Sequence, residues 1–406
     1  MKGVFLLVFL MVMSLVAAFT AVLWSYVSRS RRFAAVVAAV LGITVVAVAV
    51  VGLYVTAFAD LRQMAVLQAS WFGAMLSLSW LLAFLLAFPV MIVLAFGTFI
   101  YRRFFRKHTE EPAGGREGGM SRRSFLQYSA AAVPLLAATT SLVGNAGGHL
   151  CLQVTSHDVT CPSLPPYLEN YKIAQISDCH IGTFFSIDQL REAVLRAAGS
   201  GAQRLEITGD LIDELSLLPQ CQAVLQELAP YFRDGIDFCY GNHEYYRGLP
   251  QITAMLEKTP VRILRNSSFR VQGLPGQRES DRPFYICGSD YSFAKEEEAF
   301  AAERRRYTEK ALQYVPQNAF VLFLAHHPAF FDETFAKNIP LTLSGHTHGG
   351  QFALLAPLVQ AVGFKYLRGM FKNGSAWGYV NRGTGHWLPF RFLCSREVSV
   401  FTLHRS

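Results

Sequence analysis

Five short clusters of metal-ligand residue types stand in order along the second half of the chain: Asp178-Cys179-His180, Gly209-Asp210, Gly241-Asn242-His243-Glu244, His326-His327-Pro328 and Gly345-His346-Thr347-His348. Singly each is a weak signal. A D-x-H triplet arises by chance, and a histidine near a proline is more often a packing residue. In order, and each placed after an apolar run, the five form one constellation. Imidazole, carboxylate and amide oxygen without thiolate suit Mn²⁺, Fe²⁺/Fe³⁺ or Zn²⁺ better than Mg²⁺ or Ca²⁺. Two such ions about 3.5 to 4 Å apart can hold a bridging hydroxide and stabilise both the entering and the leaving oxygen of an in-line phosphoryl displacement. Cys179, between two ligand positions, reads as a core residue turned into the sheet.

The runs that must position these clusters are short and mostly apolar. Lys172 to Ser177, Arg204 to Thr208, Ile236 to Tyr240, Phe284 to Cys287, Phe320 to Ala325 and Leu341 to Ser344 read as buried strands. Ser186 to Ala198, Leu215 to Phe232 and Ala294 to Tyr314 read as helices. Alternating strands and helices predict a layered α/β domain, in which ligands at the C-terminal ends of parallel strands converge on one crevice. The runs Glu296-Glu297-Glu298 and Arg304-Arg305-Arg306 read as a solvated helix face.

The ordered set D-x-H, G-D, G-N-H-E, H-x-P and G-H-x-H resembles the calcineurin-like metallophosphoesterases, over about Leu164 to Leu403. The likeness continues through Gly349-Gly350-Gln351. Arg382-Gly383-Thr384-Gly385, Pro389, Arg391 and Glu397 look like the closing signature of the membrane-associated and twin-arginine-exported members. The resemblance implies a double β-sandwich flanked by helices, with a dinuclear metal site at its edge. It places one metal on Asp178, His180, Asp210 and His348, and the other on Asp210, Asn242, His326 and His346, with Asp210 bridging. It puts Asp210, Asn242 and His243 in catalytic positions, His243 standing just outside the ligands where it can protonate the leaving oxygen.

The rest of the chain is a different material. Of 406 residues 52% are hydrophobic and only 16% charged, with the charge nearly absent from the first hundred. Val4 to Tyr26, Phe33 to Phe58 and Trp71 to Ile100 are apolar runs each long enough to cross a bilayer as a helix, the third kinked at Pro89. Arg29, Arg31 and Arg32 follow the first run, Asp60 and Arg62 the second, and Arg102, Arg103, Arg106 and Lys107 the third. Positive-inside counting then brings the chain into the cytoplasm after three crossings. Ser121-Arg122-Arg123-Ser124-Phe125-Leu126-Gln127 before an alanine-rich run to Val143 looks like a bacterial twin-arginine export signal, whose translocase would be a partner.

The expected order is a membrane domain over 1–107, a polar linker over 108–120, a twin-arginine-like signal or fourth transmembrane helix over 121–146, and the metallophosphoesterase domain over 147–406. The catalytic domain is thus expected outside the cytoplasmic membrane of a bacterium. The net charge of +8 crowds beside apolar segments, which argues for topology and against a nucleic-acid partner. Seven cysteines include no CxxC pair; Cys151 and Cys161 could close a short loop or remain buried thiols. Phe184, Phe185, Tyr245 and Tyr246, with Phe352 to Phe371 and its Lys365, Arg368 and Lys372, suggest either a packed rim or a lip that meets membrane lipid. The preferred substrate is a lipid-linked phosphodiester or pyrophosphate. Alternatives are a UDP-2,3-diacylglucosamine pyrophosphatase-like activity in lipid A biosynthesis and a non-catalytic membrane sensor.

Overall fold

The computed structural model describes residues 2–28, 33–59, 64–105, 122–182, 184–351, 353, 357, 360, 364–386 and 391–405. It divides into two compact units, Met1–Ala146 and Gly147–Ser406. The linker 108–120, the loop residues Arg29, Arg31, Arg32, Asp60, Arg62, Arg106 and Lys107, as well as Ser121, Phe352 and Pro389, lie outside the described residues.

The apolar runs of the first unit are helices: α1 (Lys2–Ser28), α2 (Phe33–Ala59) and α3 (Met64–Ile100), with Pro89 inside α3 without ending it. A fourth, α4 (Arg122–Leu150), runs on past Ala146. Among the described residues one helical stretch, Phe72–Phe104, is long and apolar enough to cross a membrane; Met11–Val27 and Ala38–Leu53 are shorter apolar stretches. Met13, Ala47, Val51 and Leu81 pack together, and the buried polar groups bond between helices: Trp80 Nε1 donates to Thr44 Oγ1 at 3.1 Å and Ser141 Oγ to the Ser79 carbonyl at 2.8 Å. Met11, Phe19, Val45, Val93, Phe96 and Leu135 point outward and are exposed.

The second unit holds twelve strands: β1 (Leu152–Thr160), β2 (Lys172–Ile176), β3 (Arg204–Ile207), β4 (Ile236–Phe238), β5 (Val261–Ile263), β6 (Ser267–Val271), β7 (Phe284–Gly288), β8 (Phe320–Leu324), β9 (Leu341–Ser344), β10 (Gly369–Asn373), β11 (Ala376–Val380) and β12 (Arg396–His404). They form two six-stranded sheets, ordered β1-β12-β2-β3-β4-β5 and β10-β11-β9-β8-β7-β6. In the first, β2 to β5 run parallel and β12 pairs antiparallel with β2. In the second, β7, β8, β9 and β11 run parallel between antiparallel β6 and β10.

Because the central strands are buried on both faces, their sequences are mostly apolar, continuously so in β8, with the buried charged exceptions of β3 and β4 paired inside the sheet. In β8, Phe320, Leu322 and Leu324 enter a core shared with Ile173, Leu341, Leu343 and Phe401, while Val321 and Phe323 face a second core. Helices α5 (Ile187–Gly199), α6 (Leu218–Leu228) and α8 (Leu249–Leu256) cover the first sheet, packing Leu190, Val194, Leu225 and Ile252 against Ile176, Leu205 and Ile207. The short α7 (Asn242–Arg247) starts the segment before α8, and α9 (Glu297–Leu312) and α10 (Phe331–Ala336) lie on the side of the second sheet.

Three expectations change. The helix over Leu215 to Phe232 is broken into a 3-10 turn, α6 and a second 3-10 turn, because Pro219 and Pro230 each fit only the first turn of a helix. Arg304 does not belong to a solvated face: it is buried, its Nε 3.0 Å from Glu333 Oε2 and its guanidinium 4.4 Å from the Phe300 ring. Cys151 and Cys161 are free thiols, held apart at the two ends of the nine-residue strand β1.

Candidate metal centre

The backbone leaves the strand ends in unusual conformations. Asp178, His180, Asp210, His346 and His348 all have positive φ, between 51° and 72°. Non-glycine residues rarely adopt this region, and doing so costs about 1–3 kcal/mol each unless the surroundings enforce it. The left-handed turns at Asp178 and His180, and again at His346 and His348, bring alternate side chains to the same side. Glycines make room for this. A Cβ on Gly345 would lie 2.2 Å from Asp178 Oδ2. One on Gly383, whose φ is +86°, would lie 2.9 Å from His348 Nδ1.

Seven side chains named from the sequence come together. His180 Nε2 and His348 Nε2 are 3.1 Å apart, and Asp178 Oδ1 lies 3.5 Å from His348 Nε2. Asp210 Oδ2 lies 3.7 Å from His180 Nε2 and 3.2 Å from His326 Nε2. Asn242 Oδ1 is 3.2 Å from His326 Nε2 and 3.1 Å from His346 Nδ1. The result is a set of overlapping groups with ligand atoms within 4.8 Å of one another: Asp178, His180 and His348; His180, Asp210 and His243; Asp210, His326 and His346. Asp210 belongs to two of them, the one with His180 and His243 and the one with His326 and His346, and His180 links the first of these to the Asp178 group. Imidazole nitrogens facing each other at 3.1 Å repel unless a proton or a cation lies between them, so this donor set fits metal ions.

The ligands are held from behind. His326 Nδ1 donates to the Thr208 carbonyl at 2.7 Å, which fixes the ring with its Nε2 toward Asp210 and Asn242. Ser177 Oγ donates to Asp178 Oδ2 at 2.6 Å, and the His346 amide donates to the same carboxylate at 3.0 Å. Burial lowers the His346 and His348 pKa well below the imidazole norm, aided by neighbouring rings, so both remain neutral donors. Burial alone would raise the Asp210 carboxyl, yet the facing His326 and His243 hold it far below the carboxylate range.

Two acids support the site, Glu244, named in the G-N-H-E run without a role, and Asp213, which the sequence did not single out. Glu244, fully buried, accepts from the amides of Gly241 at 2.7 Å, Asp210 at 3.0 Å and Leu211 at 2.8 Å, locking two ligand loops together. Asp213 accepts from His243 Nδ1 at 2.6 Å, lies 3.3 Å from His180 Nδ1 and is capped by Arg247 Nε at 3.2 Å. The G-N-H-E run already displayed Glu244, whereas Asp213 sits three residues past Asp210 in a loop with no distinguishing pattern. Arg391 is fully buried, its Nη2 donating to the Arg382 and Gly385 carbonyls at 2.9 and 2.7 Å and lying 3.3 Å from His348 Nδ1. Glu397 accepts from the Arg382 amide at 2.9 Å, steadying the same loop.

The aromatic lip is corrected in part. Phe184 and Phe185 are buried, Phe185 among the core side chains under α5, so neither can meet lipid. Tyr246 is exposed, and Tyr245 is tied to Asp290. Of Phe352 to Phe371, the continuous description begins at Phe364; Lys365 pairs there with Asp332 at 2.6 Å. Cys179 is fully buried in the first-sheet core, as its position between two ligands predicted.

Comparison with known proteins bears on this arrangement. The family model described as calcineurin-like phosphoesterase matches residues 171–350. A Bacillus subtilis protein described as an uncharacterized metallophosphoesterase is 30% identical over 302 residues, spanning 70% of this chain and 98% of that protein. A Bos taurus transmembrane protein with metallophosphoesterase domain is 29% identical, spanning 72% of this chain and 66% of its own length. Among solved structures, a dimetal phosphatase from Danio rerio aligns with a TM-score of 0.36 at 14% identity, over 58% of this chain and 93% of that one.

Proposed function

Since the chain belongs to the calcineurin-like metallophosphoesterases and is a metal-dependent phosphoesterase by that membership, we propose that it is a membrane-anchored enzyme hydrolysing a lipid-linked or cell-envelope phosphoester. The observation that carries the reaction class is the overlap of the His and carboxylate groups on Asp210. In this reading Asp178, His180, Asp210 and His348 hold one metal ion, and Asp210, Asn242, His326 and His346 the other. Bound there, two Mn, Fe or Zn ions supply the Lewis acidity that activates water and neutralises phosphoryl charge.

The chain's own residues do the rest. Asp213 fixes His243 through Nδ1, leaving Nε2 for the leaving oxygen. Burial lowers the His243 pKa, but Asp210 and Asp213 outweigh it and raise it to about 9, and Asp213, which is not a proposed ligand, favours the protonated ring that a leaving alkoxide needs. Glu244 keeps the Asp210 and Asn242 loops in register while the phosphoryl group is held.

Anchoring is supported by the apolar stretch Phe72–Phe104, by the exposed apolar side chains of the first unit and by relatives named as transmembrane proteins. Three crossings by α1 to α3, followed by α4 entered from the basic pair Arg122-Arg123, would put the catalytic unit on the extracytoplasmic side. The purified full chain, loaded separately with Mn²⁺, Fe²⁺ and Zn²⁺ and given a panel of phosphomonoesters, phosphodiesters and pyrophosphates, should turn over at least one class in a metal-dependent way. No turnover with any metal would end the enzymatic reading. A membrane-impermeant protease should reach residues beyond Gly147 in spheroplasts, and full protection would reverse the sidedness.

A further inference from the structure

Beside the metal centre runs an arc of aromatic rings that the ligand geometry does not use. It begins at Tyr246, whose ring centroid is 5.6 Å from that of His243, and passes to Phe293 at 5.8 Å. From Phe293 it continues to Tyr291 at 4.8 Å, and Tyr291 lies 5.9 Å from His326 and 5.8 Å from His346. The arc therefore spans the site from the proposed leaving-group histidine to two of the proposed ligands. Tyr246 is 60% exposed and Phe293 45% exposed, although Tyr246 stands next to buried His243.

The arc is braced from outside. Tyr245 packs on Phe293 at 5.2 Å and donates to Asp290 Oδ1 at 2.5 Å, while Arg265 Nε binds Asp290 Oδ2 at 2.7 Å. The Asp290 amide donates to Asn266 Oδ1 at 2.8 Å, the Tyr291 amide donates back to Asp290 Oδ1 at 2.9 Å, and Ser292 Oγ donates to Glu303 at 2.5 Å. The loop that carries Tyr291 and Phe293 is thus tied in place, and Tyr246 is carried by α7, so the rings are positioned before any ligand arrives. Nearby cations are engaged elsewhere, Arg265 by Asp290 and Arg247 by Asp213, so the arc presents ring faces and not a second anion site.

We propose that Tyr246, Phe293 and Tyr291 form the specificity subsite for the organic group of the substrate, and that this group carries a ring next to the phosphoryl centre. Ring faces attract other rings in offset or edge geometry, beyond what area burial alone provides. A small alkyl group covers little of the arc. The proposal rests on the phosphoesterase reading and extends it to the substrate class.

Binding of phenylphosphonate and methylphosphonate to the Mn²⁺-loaded full chain, measured by calorimetry, tests it, since the two probes share an anion and differ only in the ring. The wild type should bind phenylphosphonate about tenfold more tightly. Tyr246→Ala combined with Phe293→Ala should erase that preference and leave methylphosphonate affinity unchanged. Equal affinities in the wild type, or a ring preference that survives in the double variant, overturns the subsite while leaving the phosphoesterase reading intact. If neither phosphonate binds and no phosphoester is hydrolysed, both fall together.

Discussion

The second unit carries two buried charge clusters that solve the same problem in opposite ways. Within the strands, Arg204 and Glu206 of β3 meet Asp237 of β4 and Arg262 of β5, with Glu206 and Asp237 paired in register. Two acids face two guanidiniums, Arg204 Nε to Glu206 Oε1 at 3.2 Å and Arg262 Nη1 to Asp237 Oδ1 at 2.6 Å, and none of the four has positive φ. Past the ends of β2, β3 and β4 in the first sheet and of β8 and β9 in the second, the proposed ligand set offers the carboxylates of Asp178 and Asp210, four imidazoles and an amide. Five of these seven residues hold left-handed backbone. No guanidinium is among the ligand atoms, and Arg391 reaches only the far nitrogen of His348. One cluster carries its counter-charge in its own side chains. The other leaves the counter-charge to metal ions, and its strained loops are shaped for them.

Exchanging the key acid at the site should have the largest effect. Asp210→Asn should abolish hydrolysis and lower bound metal below two per chain, because one carboxylate serves both sides of the centre. Metal analysis beside kinetics reads both, and a variant that kept full activity with two ions would break the distinction between the clusters. His243→Ala should cut turnover by about 10²- to 10⁴-fold, the range for a lost general acid, with metal content near normal. Loss of metal in that variant would move His243 into the ligand set.

The same contrast explains what could be read in advance. The proposed ligands were legible because strands β2, β3, β8 and β9 are short, mostly apolar runs and each is followed by a metal-ligand residue type. Glu244 and Asp213 act through amides and ring nitrogens brought together only by folding, and short acids in loops have no periodicity to reveal that. Strands β1 and β12 went unread: β1 is an edge strand with mixed burial, and β12 begins with Arg396 and Glu397, charged residues that are nonetheless buried. Arg304 misled for the same reason, since a charge run does not disclose that one member turns inward to Glu333. Phe184 and Phe185 looked like a lip because apolar residues near a ligand can pack inward or outward, and spacing does not say which.

Breaking the strand network should damage stability and spare the chemistry. Arg204→Ala leaves Glu206 and Asp237 buried side by side without their main partner, and removing one member of a buried pair costs about 3–5 kcal/mol. The denaturation midpoint should fall accordingly, while metal bound per folded chain stays at the wild-type value. A variant that unfolded no more readily but lost metal would show that the network supports the site directly.

The mildest change tests the network's charge balance. Burial raises the Glu206 carboxyl from 4.5 to about 8, with the neighbouring Asp237 adding to it and Arg204 opposing it. Between those two values the folded protein keeps a proton that the unfolded chain releases, so the native state binds more protons and stability must fall as pH rises. This contribution is complete below about 4.5 and lost as pH rises through about 8, with a slope of at most about 1.4 kcal/mol per pH unit. Glu206→Gln cannot release that proton and should lack this component, so its stability relative to wild type should rise from pH 5 to pH 8 and then level off. Groups of the metal centre are common to both proteins and cancel in the difference. Denaturation curves of the two proteins at pH 5, 6.5 and 8 measure it. A difference that stayed constant across the three would mean that Arg204 keeps Glu206 ionised throughout, and that the strand cluster is as fully charge-balanced as its two-acid, two-guanidinium composition allows.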